Sequence, residues 1–428
     1  MALGLYTLLW WLILPLVPLR LWWRGRREPG YSVRIGERFG RYRSDVPVPR
    51  GDVIWIHAVS LGETRAAAPL IERIARDFPD NTILLTHMTA TGREAGHALY
   101  GDSVQQVWLP YDVPFAINAF LARFRPRVGL LMETEVWPNI VAACQRVDIP
   151  LYLVNARLSE RSASGYARFP ALTRPMFAAL AGVAAQTADD AARFTDAGAR
   201  DVTVTGNLKF DVTFPPESVT LGRELRVRFG ESRPIWIAAS TREGEEALVL
   251  DALARNALPA QTLTVIVPRH PQRFNAVAEL LRTRGIPFIR RSENRAVPAD
   301  FPIVLGDSLW ELGGYYTASD VAFVGGSLVP LGGQNLIEPI AMGVPTIVGP
   351  HTFNFSEATE NAVAAGAALR VADVDKLLLE VRALLADSGR RNRMRDAALA
   401  FHAAHRGAAD RLWAWLEPRL RVSRSSDD

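Results

Sequence analysis

The sequence predicts an α/β chain of two doubly wound domains facing each other across a cleft, preceded by an apolar anchor helix. Three observations lead there. Beyond residue 50, short β-branched runs alternate with longer helical patterns, which reads as βα units and parallel sheets. The alternation comes in two series, parted at Phe214-Pro215-Pro216-Glu217-Ser218, where consecutive prolines disfavour helix and central strand alike. The chain is also long enough: 428 residues, 49% hydrophobic and 22% charged, suffice for two or three domains with large cores. That composition excludes a disordered tail and a disulfide miniprotein. The lone cysteine, Cys144, excludes an internal disulfide and a thiolate cluster, and favours a reducing compartment.

At the N-terminus, residues 2–19 carry no charge and are followed by Arg20, Arg24, Arg26 and Arg27. A helix of that stretch is about 27 Å long, close to the roughly 30 Å hydrocarbon thickness of a bilayer. A cleaved signal peptide would place its charge before the apolar run and small residues after it; here the charge follows. Residues 1–24 are therefore expected to anchor the chain at a membrane, with Trp10, Trp11, Trp22 and Trp23 at the interface and the arginines holding the rest on the cytoplasmic side. Pro15 and Pro18 interrupt a straight span, and a buried core helix is the alternative. Net charge is only +4, but residues 20–50 contain nine arginines against three acids, leaving the remainder slightly acidic. Arginine outnumbers lysine so heavily, with Lys209 and Lys376 the two lysines, that the basicity argues little for a nucleic-acid partner.

The first domain, 25–213, is expected to hold strands at 53–59, 82–88, 106–111, 128–134, 151–157, 182–187 and 202–206. The second, 214–407, is expected to hold strands at 235–240, 263–268, 287–291, 302–306, 321–327, 345–350 and 368–372. Residues 408–428 read as a closing amphipathic helix with Leu412, Trp413, Trp415 and Leu416, then a disordered tail from Ser423. In doubly wound sheets ligands bind beyond the carboxyl ends of the strands, so chemistry is sought at those junctions.

At the first junction, HAVSLGETRAA, Glu63 is placed to take a proton from an attacking hydroxyl. Ser60-x-x-Glu63 is equally a helix-capping box, and Ser240-x-x-Glu243, Ser308-x-x-Glu311 and Asn335-x-x-Glu338 share its template. The segment FVGGSLVPLGGQNLIEPIAMGVPTIVGP, from Phe323, has glycine pairs on both sides of a loop that leads into a helix headed by Asn335. Its backbone amides could approach a phosphate closely, and Glu338 could accept from ribose hydroxyls. It lacks the spacings of a P-loop or a nicotinamide fingerprint. VIVPRHPQR sets Arg269 and His270 at a strand end, where a guanidinium fork can pair with phosphate. Glu133 and Glu135 in LLMETEVWPN, and Lys209 in TGNLKF, stand at further strand ends. Asp373-Val374-Asp375 has the spacing of a metal-dependent sugar transferase but reads as a helix cap, and the seven histidines show no zinc spacing, so no metal is expected.

Taken together, SLGET, METEVWPN, NARLSERS, TGNLKFD, STREGEE, VPRHP, FVGGSL, GGQNLIEP and GPHTFNF resemble the bacterial Kdo transferases, which move 3-deoxy-D-manno-octulosonic acid (Kdo) from CMP-Kdo to a lipid A precursor. The resemblance spans nearly the whole chain. It implies a GT-B glycosyltransferase with two Rossmann-like domains, metal-independent, inverting and without a cofactor. By that likeness Glu63 is the general base, while Glu133 and Lys209 stabilise the transition state. CMP is held by Pro268, Arg269 and His270, by Leu309, Trp310 and Glu311, and by Gly326, Ser327, Gly333, Asn335, Leu336, Ile337 and Glu338. Gln334 and Pro339 depart from the family pattern. Arg24, Arg26, Arg27 and Arg34 would seat the phosphates of the lipid acceptor at the inner-membrane surface. Two rivals remain open from the residues: a transferase or epimerase using a UDP-sugar, and a non-enzymatic lipid A binding scaffold.

Overall fold

The computed structural model describes residues 1–49, 51–211, 214 and 216–422, apart from the side chain of Arg27. The tail from Ser423 and Pro215 of the linker lie outside the described residues. The chain divides into two units, 1–211 with 406–428, and 212–405.

The first unit is built on β1 (Val53–His57), β2 (Thr82–His87), β3 (Gln105–Trp108), β4 (Pro126–Met132), β5 (Leu151–Ala156), β6 (Gly182–Ala185) and β7 (Val202–Val204). They form one parallel sheet in the order β3-β2-β1-β4-β5-β6-β7. Helices cover both faces, which is why the strands read as continuous apolar runs: Ile54, Trp55 and Ile56 are all fully buried although alternate residues face opposite sides. The order reverses between β1 and β4, so their carboxyl ends flank the crevice in which such sheets bind ligands.

The second unit repeats the plan with β8 (Ile235–Thr241), β9 (Leu263–Pro268), β10 (Phe288–Arg290), β11 (Ile303–Leu305), β12 (Val321–Val324), β13 (Thr346–Val348) and β14 (Ala368–Arg370), ordered β10-β11-β9-β8-β12-β13-β14. Every strand expected from the sequence is present. Several end earlier than expected, β1 at His57 and β3 at Trp108, because an apolar run does not reveal where its ladder partner stops. The residues past those ends form the loops of the site.

Both termini pack on the first unit. The closing amphipathic helix expected from the sequence is present as Ala408–Val422, and its Leu412, Trp413, Trp415, Leu416 and Leu420 pack with Ile54, Ile56 and Leu130 in the core of that unit. Asp211 accepts the Gly407 and Ala409 amides, and Arg411 donates to Thr205 O at 2.9 Å, fixing the returning chain. The N-terminal segment packs on it as well. It forms helices Ala2–Ile13 and Val17–Arg27, joined by a 3₁₀ turn at Leu14–Leu16 where Pro15 and Pro18 begin new turns. Thr7 Oγ1 donates to Asn139 Oδ1 at 2.8 Å, and Trp10 and Trp11 pack on Tyr111 and Phe115. The opposite side, with Leu5, Leu8, Leu9, Leu12 and Leu16, is exposed. Among the described residues the stretch Ala2–Arg26 is the one helix long and apolar enough to cross a membrane.

Candidate active site

Glu63 and Glu133 lie at the crevice of the first sheet, one beyond β1 and the other immediately after β4. Glu63 sits in the first turn of the helix Leu61–Ala66, whose N-cap is Ser60. Its Oε2 accepts from Val59 N at 2.7 Å and its Oε1 from Ser60 Oγ at 3.0 Å. The cap reading is thus correct in kind, but the amide served is that of Val59 rather than Ser60. Capping does not exhaust the group: burial, then the nearby Glu133 carboxylate, raise its pKa to about 8 against the two hydrogen bonds. A carboxyl held there gains and loses its proton near neutrality, as a general base must.

Glu133 has a left-handed backbone (φ 54), unusual for a residue with a Cβ. Its N–H donates to Val154 O at 3.1 Å and its carbonyl accepts from Arg157 N at 3.2 Å, so pairing to β5 and its following loop holds the turn. This turns the side chain to Lys209, whose Nζ lies 2.7 Å from Glu133 Oε1. Lys209 arrives from beyond the edge strand β7 on a 3₁₀ turn, Leu208–Phe210, capped by Asn207. Sequence reasoning did not single out what fixes that turn. Asn155, fully buried and itself left-handed (φ 50), accepts from Leu208 N at 3.0 Å through Oδ1. The NARL motif carried the signal, since an amide at the end of a buried strand needs partners. Glu135 is set aside, its Oε2 accepting from Trp137 Nε1 at 3.0 Å.

In the second unit the glycine loop is corrected. The amides of Gly326 and Ser327, expected to face a phosphate, donate instead to the fully buried carboxylate of Glu245 at 2.6 and 3.1 Å, as do Leu328 N at 3.0 Å and Arg242 N at 2.8 Å. The anion nest after β12 is filled by the protein's own side chain. The Ser327 hydroxyl is likewise engaged, donating to Val324 O and accepting from Gly349 N. Leu336, Ile337 and Pro268 are buried, so their side chains serve packing and any nucleotide contact would fall to their backbone. The helix after the loop is short, Ile337–Ala341, with Leu336 rather than Asn335 at its cap position.

What remains presentable is a polar cluster around that loop. Arg269 Nε donates to Gln334 Oε1 at 3.2 Å, tying the end of β9 to the loop after β12. Gly333, left-handed at φ 75, donates to Gly326 O and lets the loop fold back. Asn335 Nδ2 donates to Glu338 Oε1 at 3.2 Å. His270 is exposed, and its pKa is lowered first by partial burial and then by Arg242, Arg269 and Arg273. Beyond β11, Leu309 and Trp310 are exposed, Trp310 left-handed at φ 65, and Glu311 is gripped by Arg291 with Nη2 to Oε1 at 3.1 Å. The Ser240 and Ser308 capping templates do not cap: Ser308 Oγ bonds Tyr315 OH instead, and the helix Glu245–Arg255 has Gly244 at its cap position. Asn335 does serve its helix, its Oδ1 accepting from Ile337 N at 3.1 Å. Asp373 does cap, accepting from Lys376 N at 2.8 Å.

Of the arginines assigned to lipid phosphate, Arg34 is already paired with Asp45 at 3.2 Å and Arg26 lies exposed over Trp22. The side chain of Arg27 lies outside the described residues. Arg24 lines a cavity together with Arg20 and Arg38, and Arg34 lines another beside Arg93 and Asp45.

The family described as "3-Deoxy-D-manno-octulosonic-acid transferase (kdotransferase)" matches residues 33–212. A 3-deoxy-D-manno-octulosonic acid transferase of Bordetella pertussis is 46% identical over 98% of this chain and 100% of its own length. The chain belongs to the Kdo transferase family. A Haemophilus influenzae member is 40% identical over 92% of this chain and 93% of its own. The chain is accordingly a glycosyltransferase. Its two-sheet plan is similar to Anabaena HepE solved with UDP, at a TM-score of 0.56 and 15% identity over 87% of this chain and 100% of that one, which bears on the GT-B fold alone.

Proposed function

We propose that the chain transfers Kdo with inversion from CMP-Kdo to a hydroxyl of a lipid A precursor, without metal or cofactor. The observation that carries this reading is the grouping of Glu63, Glu133 and Lys209 at the crevice of one sheet. Glu63, with its proton-exchange range near neutrality, removes the proton of the acceptor hydroxyl. The oxygen attacks the anomeric carbon as the bond to the cytidylate breaks. Lys209 balances the departing phosphate and Glu133 the positive character left on the sugar, a fixed pair that needs no rearrangement as charge develops. Arg269, Asn335, Glu338 and the loop Leu309–Glu311 hold the nucleotide on the second unit; a guanidinium fork and an amide–carboxylate pair suit phosphate and ribose. The exposed apolar side of the first helix, beside the arginines, associates with the cytoplasmic face of the inner membrane.

Mass spectrometry of the product formed from purified full-length chain, CMP-Kdo and a tetraacylated precursor tests the reading. A mass increase of Kdo units is expected; transfer from UDP-sugars in place of CMP-Kdo would overturn it, and so would acceptor binding with no transfer.

A further inference from the structure

Where the two N-terminal helices meet the first unit they enclose a cavity of about 250 Å³, lined by Arg20, Leu21 and Arg24 from the second helix, Trp10 from the first, and Arg38 and Tyr111 from the domain. The basic segment splits there into two groups. Arg34 and Arg93 are spent on Glu37 and Asp45, and Arg43 also reaches Asp45. Arg20, Arg24 and Arg38 pair with no carboxylate among the described residues. Arg24 lies over Tyr31 at 4.2 Å. Arg38 is 1% exposed, stacks over Trp108 at 3.8 Å, donates one N–H to Met88 O at 3.1 Å, and leaves Nε without a partner. The neighbouring Glu37 feels Arg38 but is paired with Arg34 and Arg93, and a buried guanidinium with no carboxylate at ion-pair distance is costly unless an anion completes it. All three converge on one place, since the Tyr111 hydroxyl feels Arg38, Arg20 and Arg24 together. The acid on the wall, Asp112, is occupied: it accepts the amides of Asn139 and Ile140, both at 2.9 Å.

We propose that this cavity binds a phosphate monoester on the headgroup of an amphiphilic acceptor, with Arg20, Arg24 and Arg38 as its ligands and the exposed leucines of the first helix beside its acyl chains. The volume sets the limit. At about 250 Å³ it is below the roughly 300–1,000 Å³ of sites that engulf a drug-sized ligand, so a sugar phosphate enters and the chains stay outside. Trp10, Leu21, Trp137 and Ile140 give the remaining wall an apolar character suited to a headgroup that continues into lipid. The position also fits catalysis. Arg38 bonds Met88 O; Thr89 Oγ1 bonds Val59 O at 2.8 Å; and Val59 N holds Glu63 at 2.7 Å. The seat and the base are thus built on the same two adjoining loops, which hold one relative to the other. The site rests on the proposed transfer reaction for its role, but not for its binding chemistry.

The test uses the full chain in detergent, as wild type, the double variant Arg20→Ala/Arg24→Ala, Arg38→Lys, and Arg43→Ala as a control for net charge. Acceptors are a tetraacylated glucosamine disaccharide bisphosphate and the same lipid after phosphatase treatment. Losing two charge-assisted contacts should raise the acceptor KM about tenfold or more, with the CMP-Kdo KM and kcat unchanged and Arg43→Ala like wild type. Phosphatase treatment should impose the same rise on wild type and erase the difference between wild type and the double variant. Inorganic phosphate should compete with the acceptor. Arg38→Lys keeps the charge and loses the fork, so it should fall between. An equal penalty on both acceptors, an equal effect of Arg43→Ala, or no competition by phosphate would each overturn the site in favour of general attraction to an anionic surface. Binding of the bisphosphate lipid without donor separates the two claims. If wild type binds it through Arg20 and Arg24 but transfers nothing, the reaction is wrong and the site stands; if binding ignores both arginines, the site is wrong whatever is transferred.

Discussion

Replacing Glu63 by Gln separates a helix cap from a general base, because the amide can keep both hydrogen bonds. Its oxygen can accept from Val59 N and its nitrogen can donate to Ser60 Oγ, so the start of the helix Leu61–Ala66 should survive. The proton chemistry does not survive. With a pKa of about 8, roughly one-tenth of wild-type molecules carry an ionised Glu63 at pH 7, so turnover should rise nearly tenfold between pH 7 and 9 and level off above 8. Glu63→Gln should be about 10²- to 10⁴-fold slower, with no such limb and an unchanged CMP-Kdo KM. Stability moves the other way. The folded-state value lies above the ordinary 4.5, so between those two pH values the folded chain binds more protons than the unfolded chain. Stability therefore falls as pH rises through the window, by up to about 1.4 kcal/mol per pH unit from this group. The variant should lack that component and be the more stable protein near pH 8. Initial rates by product mass spectrometry and urea unfolding from pH 5 to 9 measure both. Turnover within about threefold of wild type, or unfolding curves with parallel pH dependence, would refute the base assignment.

Three further outcomes follow from the same geometry. Glu133→Gln removes the carboxylate that helps raise the Glu63 pKa, so the acid limb of the residual activity should shift to lower pH; an unmoved limb would mean that the two do not share a site. Glu245→Gln leaves one oxygen for four N–H groups, stranding about two buried donors at about 1–3 kcal/mol each, and should lower the melting temperature of the second unit by on the order of 10 °C in calorimetry. A variant melting like wild type would show that the nest is free to take another anion. Arg269→Ala should raise the CMP-Kdo KM about tenfold with a smaller effect on the acceptor KM, read from initial rates; an unchanged donor KM would move the phosphate contact away from the end of β9.

The two sheets were legible because strands buried on both faces must be apolar at every position, and proline pairs mark where such runs stop. Glu63 and Lys209 were legible as unusual polar residues at strand ends. Their relation was not: Lys209 follows β7 at the sheet edge, and only the parallel order that sets β4 and β5 between β1 and β6 brings it to Glu133. The glycine loop shows the converse error. GG followed by a hydroxyl resembles an anion cradle, and it is one, but Glu245, more than eighty residues earlier in the chain, already fills it.

What the sequence by itself determined is the class of fold, the two-part plan and the kinds of side chain set at the strand ends, because burial periodicity and turn chemistry are local. Which partners those side chains find was decided only by tertiary structure. Hydrogen bonds and ion pairs act over a few ångströms, and strand order, rather than distance along the chain, sets which groups come that close. The same rule divides the arginines: those of residues 20–50 look equivalent in sequence, yet Glu37 and Asp45 neutralise Arg34 while Arg20, Arg24 and Arg38 are left facing a common cavity.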